Sequence, residues 1–508
     1  MEVDSVEESE KHEQKSDPPR LHRRIVLFPC PLQGHINPML QLATLLYSKG
    51  FSITIVHTHF NSPNPSNYPL FSFESIFDGN ASSSDVSEDV IALISNINIH
   101  SVTPLKECLV RLLSKSENHD EPVVCMVSDA IMHFTKGVAE SVGLPRIVLR
   151  TSSAISYVTF GYVMALQKQG LFPIQESRLE DRLPDFPLLK FKDLPTVNTR
   201  DSTVLYELLF NMLQNTKASL GLVWNSFEAL EKSALATIAN DYGIPLFPVG
   251  PFHKIVKASS SSLITQDSSC ISWLNTQSPN SVIYVSFGSI VGMDRTGFVE
   301  IAWGLANSGH PFLWVVRPDS VPDCYDLLQL LPDGFLEIVK GRSCIVQWAP
   351  QQDVLAHPAV GGFWTHNGWN STLESICEGV PMLCTPSFGD QKVNARFVNE
   401  VCSVTKFSKK LRIFFGEIKA FFMECGARSK SMVGIYKIMQ VWRVGLHLEN
   451  WLERRDIESS INRLMEGEER KEMIARVKDL KEETELCLRK GGSSYESLQS
   501  LTDLILSF

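Results

Sequence analysis

Short apolar runs alternate with amphipathic stretches along most of the chain. Ile25–Pro29, Ile53–His57, Val123–Val127 and Ile147–Leu149 are continuous apolar blocks. Each is bounded by charged or turn residues, as expected of parallel strands buried on both faces. Between the first two, Met39, Leu42, Ala43 and Leu46 share one helical face, and Gly50 ends the helix. Another helix runs through Phe134, Val138 and Ala139 and closes at Gly143-Leu144-Pro145. The segment Asn61–Ser101 is polar and reads as a strand plus a variable loop. From Thr151 to about Ser202, prolines 173, 184, 187 and 195 interrupt the pattern, which suits helices and loops capping a pocket. Val223-Trp224 and Pro245–Val249 read as the last strands of this half.

Strands resume at Ser281–Ser286, Phe312–Val316, Cys344–Gln347, Phe363–Thr365 and Met382–Thr385. The alternation predicts an α/β fold of two Rossmann-like parallel-sheet domains facing across a cleft, with the site in the crevice. The expected divisions are a disordered tail (1–23), a first domain (24–250), a linker with the serine run Ser259–Ser262 (251–268) and a second domain (269–490). Asp456–Lys490 is charged and helical. After Gly491-Gly492, residues 491–508 carry an apolar face (Leu498, Leu501, Leu504, Leu506) and should dock back on the first domain.

At 508 residues the chain exceeds what one core usually serves. Its hydrophobic content of 44% suits a soluble globular protein, and a net charge of −10 argues against nucleic acid as a partner. The eleven cysteines form no CxxC pairs and several lie in apolar runs, which points to reduced thiols in the cytoplasm. The first 23 residues lack the apolar core of a signal peptide, and no run is long enough to span a bilayer. No stable membrane insertion is expected.

Chemistry concentrates in two places. The first is WAPQQDVLAHPAVGGFWTHNGWNSTLESICEGVPMLCTPSFGDQ, Trp348–Gln391. Two strand ends and one helix start deliver polar groups there together. A helix start, with its unpaired N–H groups and positive dipole end, suits a phosphate. The second is His35 and Asp129, each just beyond a buried strand. If those strands are neighbours, an imidazole held by a carboxylate makes an oriented general base. Taken singly, each is more often a turn or cap residue. No GxGxxG follows the first strand, which disfavours a nicotinamide dinucleotide fold.

The Trp348–Gln391 stretch resembles the signature box of plant family-1 UDP-glycosyltransferases over its whole length. PLQGHINP resembles the family's N-terminal motif, and VSDAIMHF the segment that carries its catalytic aspartate. The resemblance implies a GT-B-like fold and inverting transfer of glucose from UDP-glucose to a hydroxyl, carboxyl or nitrogen of a small hydrophobic metabolite. His35 would be the base and Asp129 its partner. Trp348 would stack the uracil, Gln351 contact the uridine and Glu374 the ribose. His366, Asn370, Ser371 and Ser289 would hold the pyrophosphate. Asp390, Gln391 and Thr151 would read the sugar, and Trp369 would act mainly through backbone and packing. Gln391 favours glucose as donor. No metal or other cofactor is implied, and the protein is expected to work as a monomer. Ser371-x-x-Glu374 also matches a helix capping box, a structural alternative for both residues.

One segment departs from the family. Glu400 should run directly into the strand Val441-Trp442-Arg443-Val444-Gly445-Leu446, but Val401–Gln440 intervenes. It holds eight Lys/Arg against two Glu in an otherwise acidic chain. The leading explanation is an intron translated in frame or a gene-model error. A surface loop, and a basic amphipathic membrane helix through Leu411, Phe414, Ile418 and Phe421, are the others. The segment should lie at the end of the sheet away from the donor. Two rival functions remain open to the sequence. A Ser/His/Asp hydrolase would want a G-x-S-x-G elbow, which is absent. A non-catalytic or misfolded UDP-sugar binder would follow from the insertion.

Overall fold

The computed structural model describes residues 20–116, 121–184, 186, 188–197, 199–256, 263–321, 330–399, 442–448 and 453–508. Of the expected tail (1–23), residues 1–19 lie outside them, as do the serine run Ser259–Ser262 and the insertion Val401–Gln440.

Two parallel sheets form, as their unbroken apolar strands require. The first contains β1 (Arg24–Phe28), β2 (Ser52–Thr58), β3 (Ser72–Ile76), β4 (Val123–Asp129), β5 (Arg146–Arg150), β6 (Gly221–Trp224) and β7 (Leu246–Pro248). Their order is β3-β2-β1-β4-β5-β6-β7. The second contains β8 (Val282–Ser286), β9 (Phe312–Val315), β10 (Ser343–Val346), β11 (Val360–Thr365), β12 (Met382–Cys384) and β13 (Gly445–His447), ordered β10-β9-β8-β11-β12-β13. In each sheet the winding direction reverses once, between β1 and β4 and between β8 and β11. Crevices at such reversals, outside the carboxyl ends of the strands, are where open α/β sheets bind ligands.

The strands are buried on both faces. Val26 and Phe28 enter one core cluster, while Ile25 and Leu27 enter another. This is the period-2 alternation of a strand between two helix layers. The cluster with Val26 also contains Tyr284, Phe363 and Trp369, so apolar packing runs continuously from one domain into the other.

Several elements differ from the sequence expectation. Asn61–Ser101 contains β3 but also the helix Ser83–His100, and a second helix, Val102–Ser116, follows. The first of these has a polar opening, and its apolar positions Ile91, Leu93, Ile94 and Ile97 come late. Asp89 caps that later part, accepting from the backbone N–H groups of Ile91 and Ala92 at 3.0 and 3.1 Å. Asp456–Lys490 is two helices, Arg454–Met465 and Gly467–Leu488, divided where Gly467 takes φ +81°. β13 begins only at Gly445, because Arg443 turns with φ +55°. A Cβ at Gly445 would stand 2.2 Å from the Met382 carbonyl oxygen, so glycine is what lets this edge strand reach β12.

The chain leaves the described residues at Asn399 and returns at Trp442, and the two flanks touch. The Trp442 amide donates to the Phe397 carbonyl at 3.0 Å, and the Val444 amide to that of Val398 at 2.8 Å. The last helix, Ser493–Leu506, buries Leu498, Leu501 and Ile505 in the cluster that holds Ile25 and Leu27. Arg23 donates to the Leu506 carbonyl at 2.7 Å.

Candidate active site

β1 and β4 pair in register with Phe28 opposite Ser128. That pairing brings the start of the helix Gln33–Ser48 beside the end of β4. His35 Nδ1 lies 2.7 Å from Asp129 Oδ2. The carboxylate is buried and the imidazole is about a quarter exposed, with 25% of the side chain accessible. The other carboxylate oxygen, Oδ1, accepts from the Ile131 amide at 3.0 Å, so the group is held on both sides. The Thr151 hydroxyl, from the end of β5, is 3.0 Å from the same imidazole nitrogen. A carboxylate only accepts, so Nδ1 carries the proton, and in the neutral imidazole the lone pair is then on Nε2.

The second half gathers around the helix Trp369–Glu378, capped by the backbone of Gly368 with no side-chain cap. Its first-turn N–H groups have no intrahelical acceptors. Asn370 and Ser371 therefore sit inside the first turn, and Ser371 is not the cap. The capping-box alternative for Ser371 and Glu374 is thereby overturned. Glu374 instead accepts from Gln351 Nε2 at 2.7 Å and Gln352 Nε2 at 2.9 Å. Gln351 Nε2 also donates to the Ser371 hydroxyl at 2.9 Å, and its Oε1 accepts from the Tyr284 hydroxyl at 3.3 Å. Burial raises the Glu374 carboxyl above its usual range, and the two glutamine amides partly oppose that.

His366 follows β11, across the sheet's reversal from Ser289, which follows β8. Its ring lies in a glycine cradle. A Cβ on Gly288 would meet ring atoms at 2.6 Å, and one on Gly368 at 2.5 Å. Burial, with the positive charge of Arg317, holds the imidazole down at about 4, so it is neutral at pH 7. Its Nδ1 is buried without a hydrogen-bond partner, as is the Asn370 amide oxygen. Trp348 is half-buried against the core, leaving part of the indole accessible. Ser289 is likewise half-buried.

Asp390 and Gln391 end the loop after β12. Asp390 accepts from Asn394 Nδ2 at 3.1 Å, and burial raises its carboxyl, against the opposing effects of Asn394, His35 and Arg150. Gln391 Oε1 accepts from the amides of Ser387 and Phe388 at 2.9 and 3.2 Å, which fixes the side chain in its own loop.

Contacts between the domains hold the halves together, and the sequence pattern did not signal them. The Asn370 amide donates to the Gly34 carbonyl at 2.9 Å, one residue before His35. The Trp369 indole N–H donates to the Asn225 carbonyl at 2.8 Å, so this residue bridges domains. Arg396 makes a two-pronged pair with Asp193 at 2.8 and 2.9 Å, both side chains almost wholly buried. Lys392 donates to the Thr196 hydroxyl at 2.8 Å, and the Gly389 amide to the Thr196 carbonyl at 2.7 Å.

A family model described as UDP-glucoronosyl and UDP-glucosyl transferase matches residues 123–411. UDP-glycosyltransferase 76B1 of Arabidopsis thaliana is 44% identical, over 95% of this chain and 98% of that protein. UDP-glycosyltransferase 76G1 of Stevia rebaudiana is 42% identical, over 96% and 98%. Among solved structures, Phytolacca americana UGT2 complexed with UDP-2fluoro-glucose and pterostilbene superposes with TM-score 0.73 at 26% identity. The match covers 95% of this chain and all of that one.

Proposed function

The chain belongs to the UDP-glucoronosyl and UDP-glucosyl transferase family, and from that premise we propose that it transfers glucose from UDP-glucose, with inversion, to a small hydrophobic acceptor. It is a glycosyltransferase of the GT-B fold. The observation that carries the mechanism is the 2.7 Å contact between His35 Nδ1 and Asp129. It leaves Nε2 to take the proton of an acceptor hydroxyl as that oxygen attacks the anomeric carbon. The bond from that carbon to the UDP phosphate oxygen breaks, and its electron pair leaves with UDP. Asp129 stabilises the imidazolium. The transition state is oxocarbenium-like, as in other glycosyl chemistry.

On the donor side, Trp348 stacks the uracil, Gln351 contacts the uridine and Glu374 the ribose. The start of the helix Trp369–Glu378, with His366, Asn370, Ser371 and Ser289, carries the pyrophosphate charge without a metal. The first turn of that helix, capped by no side chain, supports that assignment. Asp390 and Gln391 read the sugar. Thr151 lies on the base, from which its hydroxyl also faces the sugar. The acceptor is a plant metabolite. The reading takes the protein to be a monomer and places it in the cytoplasm, the latter in keeping with the unpaired cysteines among the described residues. No described helix is long and apolar enough to cross a membrane.

The reading is tested by incubating the full chain with UDP-glucose, UDP-galactose or UDP-xylose and a panel of phenolic and terpenoid alcohols, following UDP release. Turnover should be fastest with UDP-glucose and give the inverted glucoside. Tight UDP binding with no turnover on any acceptor would favour the binder instead. The His366 role has its own check. Gly288 has φ +75°, and a methyl there meets the imidazole. Gly288→Ala should weaken UDP binding roughly tenfold, since overpacking of about 1–3 kcal/mol is relieved by moving the ring. Unchanged UDP affinity by calorimetry would remove His366 from the phosphate site.

A further inference from the structure

One buried amide joins the two halves of the site. Asn394 is fully buried, one helical turn beyond Asp390 in the helix Gln391–Asn399. Its Nδ2 donates to the Asn367 carbonyl at 3.0 Å and to Asp390 Oδ2 at 3.1 Å. Its Oδ1 accepts from the Ser153 hydroxyl at 2.7 Å, with the Ser156 hydroxyl 3.2 Å away. The orientation is forced. A carbonyl and a carboxylate only accept, so the nitrogen must face them and the oxygen must face the hydroxyls. No other side chain of this size offers two donors at one end and two lone pairs at the other.

Both ends of this bridge reach chemistry. Asp390 stands at the ligand end of β12. Ser153 caps the helix Ala154–Lys168, with its hydroxyl accepting from the Ser156 amide at 3.2 Å. It lies two residues after Thr151, whose hydroxyl touches His35. The same helix start is clamped from behind by Glu231, which accepts from the amides of Ala154 and Ile155 at 3.0 and 3.1 Å and from the Ser226 hydroxyl at 2.7 Å. The segment Thr151–Ser153 is thus fixed within its own domain before Asn394 reaches it.

We propose that Asn394 is a positioning residue for glycosyl transfer. It aims the Asp390 carboxylate at the donor sugar and ties it to the segment that steadies His35, so that sugar and base share one frame. The inference rests on the proposed reading of Asp390 as a sugar contact. Asn394 touches no reacting atom, and its effect is on alignment.

The test compares kcat, KM for UDP-glucose, the inhibition constant of UDP, and the preference for UDP-glucose over UDP-galactose. Asn394→Asp keeps the shape but turns a donor into an acceptor facing Asp390. It should lower kcat by roughly 100-fold, the scale of a misplacement of about 1 Å. The preference for UDP-glucose should fall with it. UDP inhibition should stay within about threefold, because UDP lacks the sugar that Asp390 meets. Wild-type kcat, or a UDP inhibition constant that worsens as much as kcat, would overturn the proposal. If Asn394→Asp does not fold, Ser153→Ala decides. It removes one partner of Oδ1 and should lower kcat with unchanged UDP inhibition, and full kcat there would overturn it. Asp390→Asn is measured alongside. Full turnover in that variant removes the sugar-contact reading and this inference with it. A crippled Asp390→Asn beside an intact Asn394→Asp overturns the positioning role alone.

Discussion

His35→Ala should lower kcat by roughly 10²–10⁴-fold, the usual contribution of a positioned general base. UDP-glucose affinity should change little, because all the proposed donor groups except Thr151 come from the second domain. The loss follows from what remains. Asp129 is buried 2.7 Å from where the imidazole was, and its fixed place on the Ile131 amide keeps it from reaching an acceptor hydroxyl in its stead. Thr151 supplies a hydroxyl whose proton affinity is far too low for a base. Single-turnover assays with and without excess acceptor would separate chemistry from binding. Turnover within threefold of wild type would sink the base assignment, whatever else the protein does.

The largest stability effect should come from Asp193 and Arg396. Both side chains are almost wholly buried, and the pair joins the segment before Thr196 to the helix that carries Asn394. Removing one partner leaves a buried charge without its counter-ion, which costs about 3–5 kcal/mol. Asp193→Ala or Arg396→Met should therefore shift urea unfolding strongly downward. The double variant Asp193→Leu/Arg396→Met should recover most of the loss, since an apolar pair of similar volume avoids both desolvation penalties. Single variants as stable as the wild type would show that water or another group replaces the lost partner. Additive losses in the double variant would show that the pair does not act as a unit.

These two sites differ in how far the sequence exposes them. Asp129 ends β4 and His35 opens the helix that follows β1, and both places are readable from the apolar runs and the helical period. Only the adjacency of β1 and β4 had to be supplied by the structure. The Trp348–Gln391 stretch was readable for the same reason: strands, helix start and polar groups are contiguous. The Ser371-x-x-Glu374 spacing left a capping box open as an alternative, because spacing does not fix where a helix begins. Gly368 starts this one, and the glutamate faces two glutamines instead.

Asn394, Arg396 and Asp193 give no local signal. Each is a polar residue in a helical or loop pattern, and its meaning depends on a surface from the other domain. The same holds for the Trp369 indole, which reads as a core ring until Asn225 is placed opposite its N–H. Helix Ser83–His100 escaped because its polar opening hides the period, whereas Val102–Ser116 carries Leu105, Cys108, Leu109 and Leu112 at helical spacing, a signal that could have found it.

The touching flanks at Phe397 and Trp442 make a seam in the second domain. The hydrogen bond between them closes the chain on itself, so whatever lies between enters and leaves through one doorway. For such a closed loop, length is a weak thermodynamic variable: each doubling costs only about 0.6 kcal/mol. By that measure alone, a few residues or many between the two flanks add little to the cost of closing the seam. This is the position at which the fold can gain or lose sequence as cargo, and equally the place where the chain could be cut and its halves expected to find each other again.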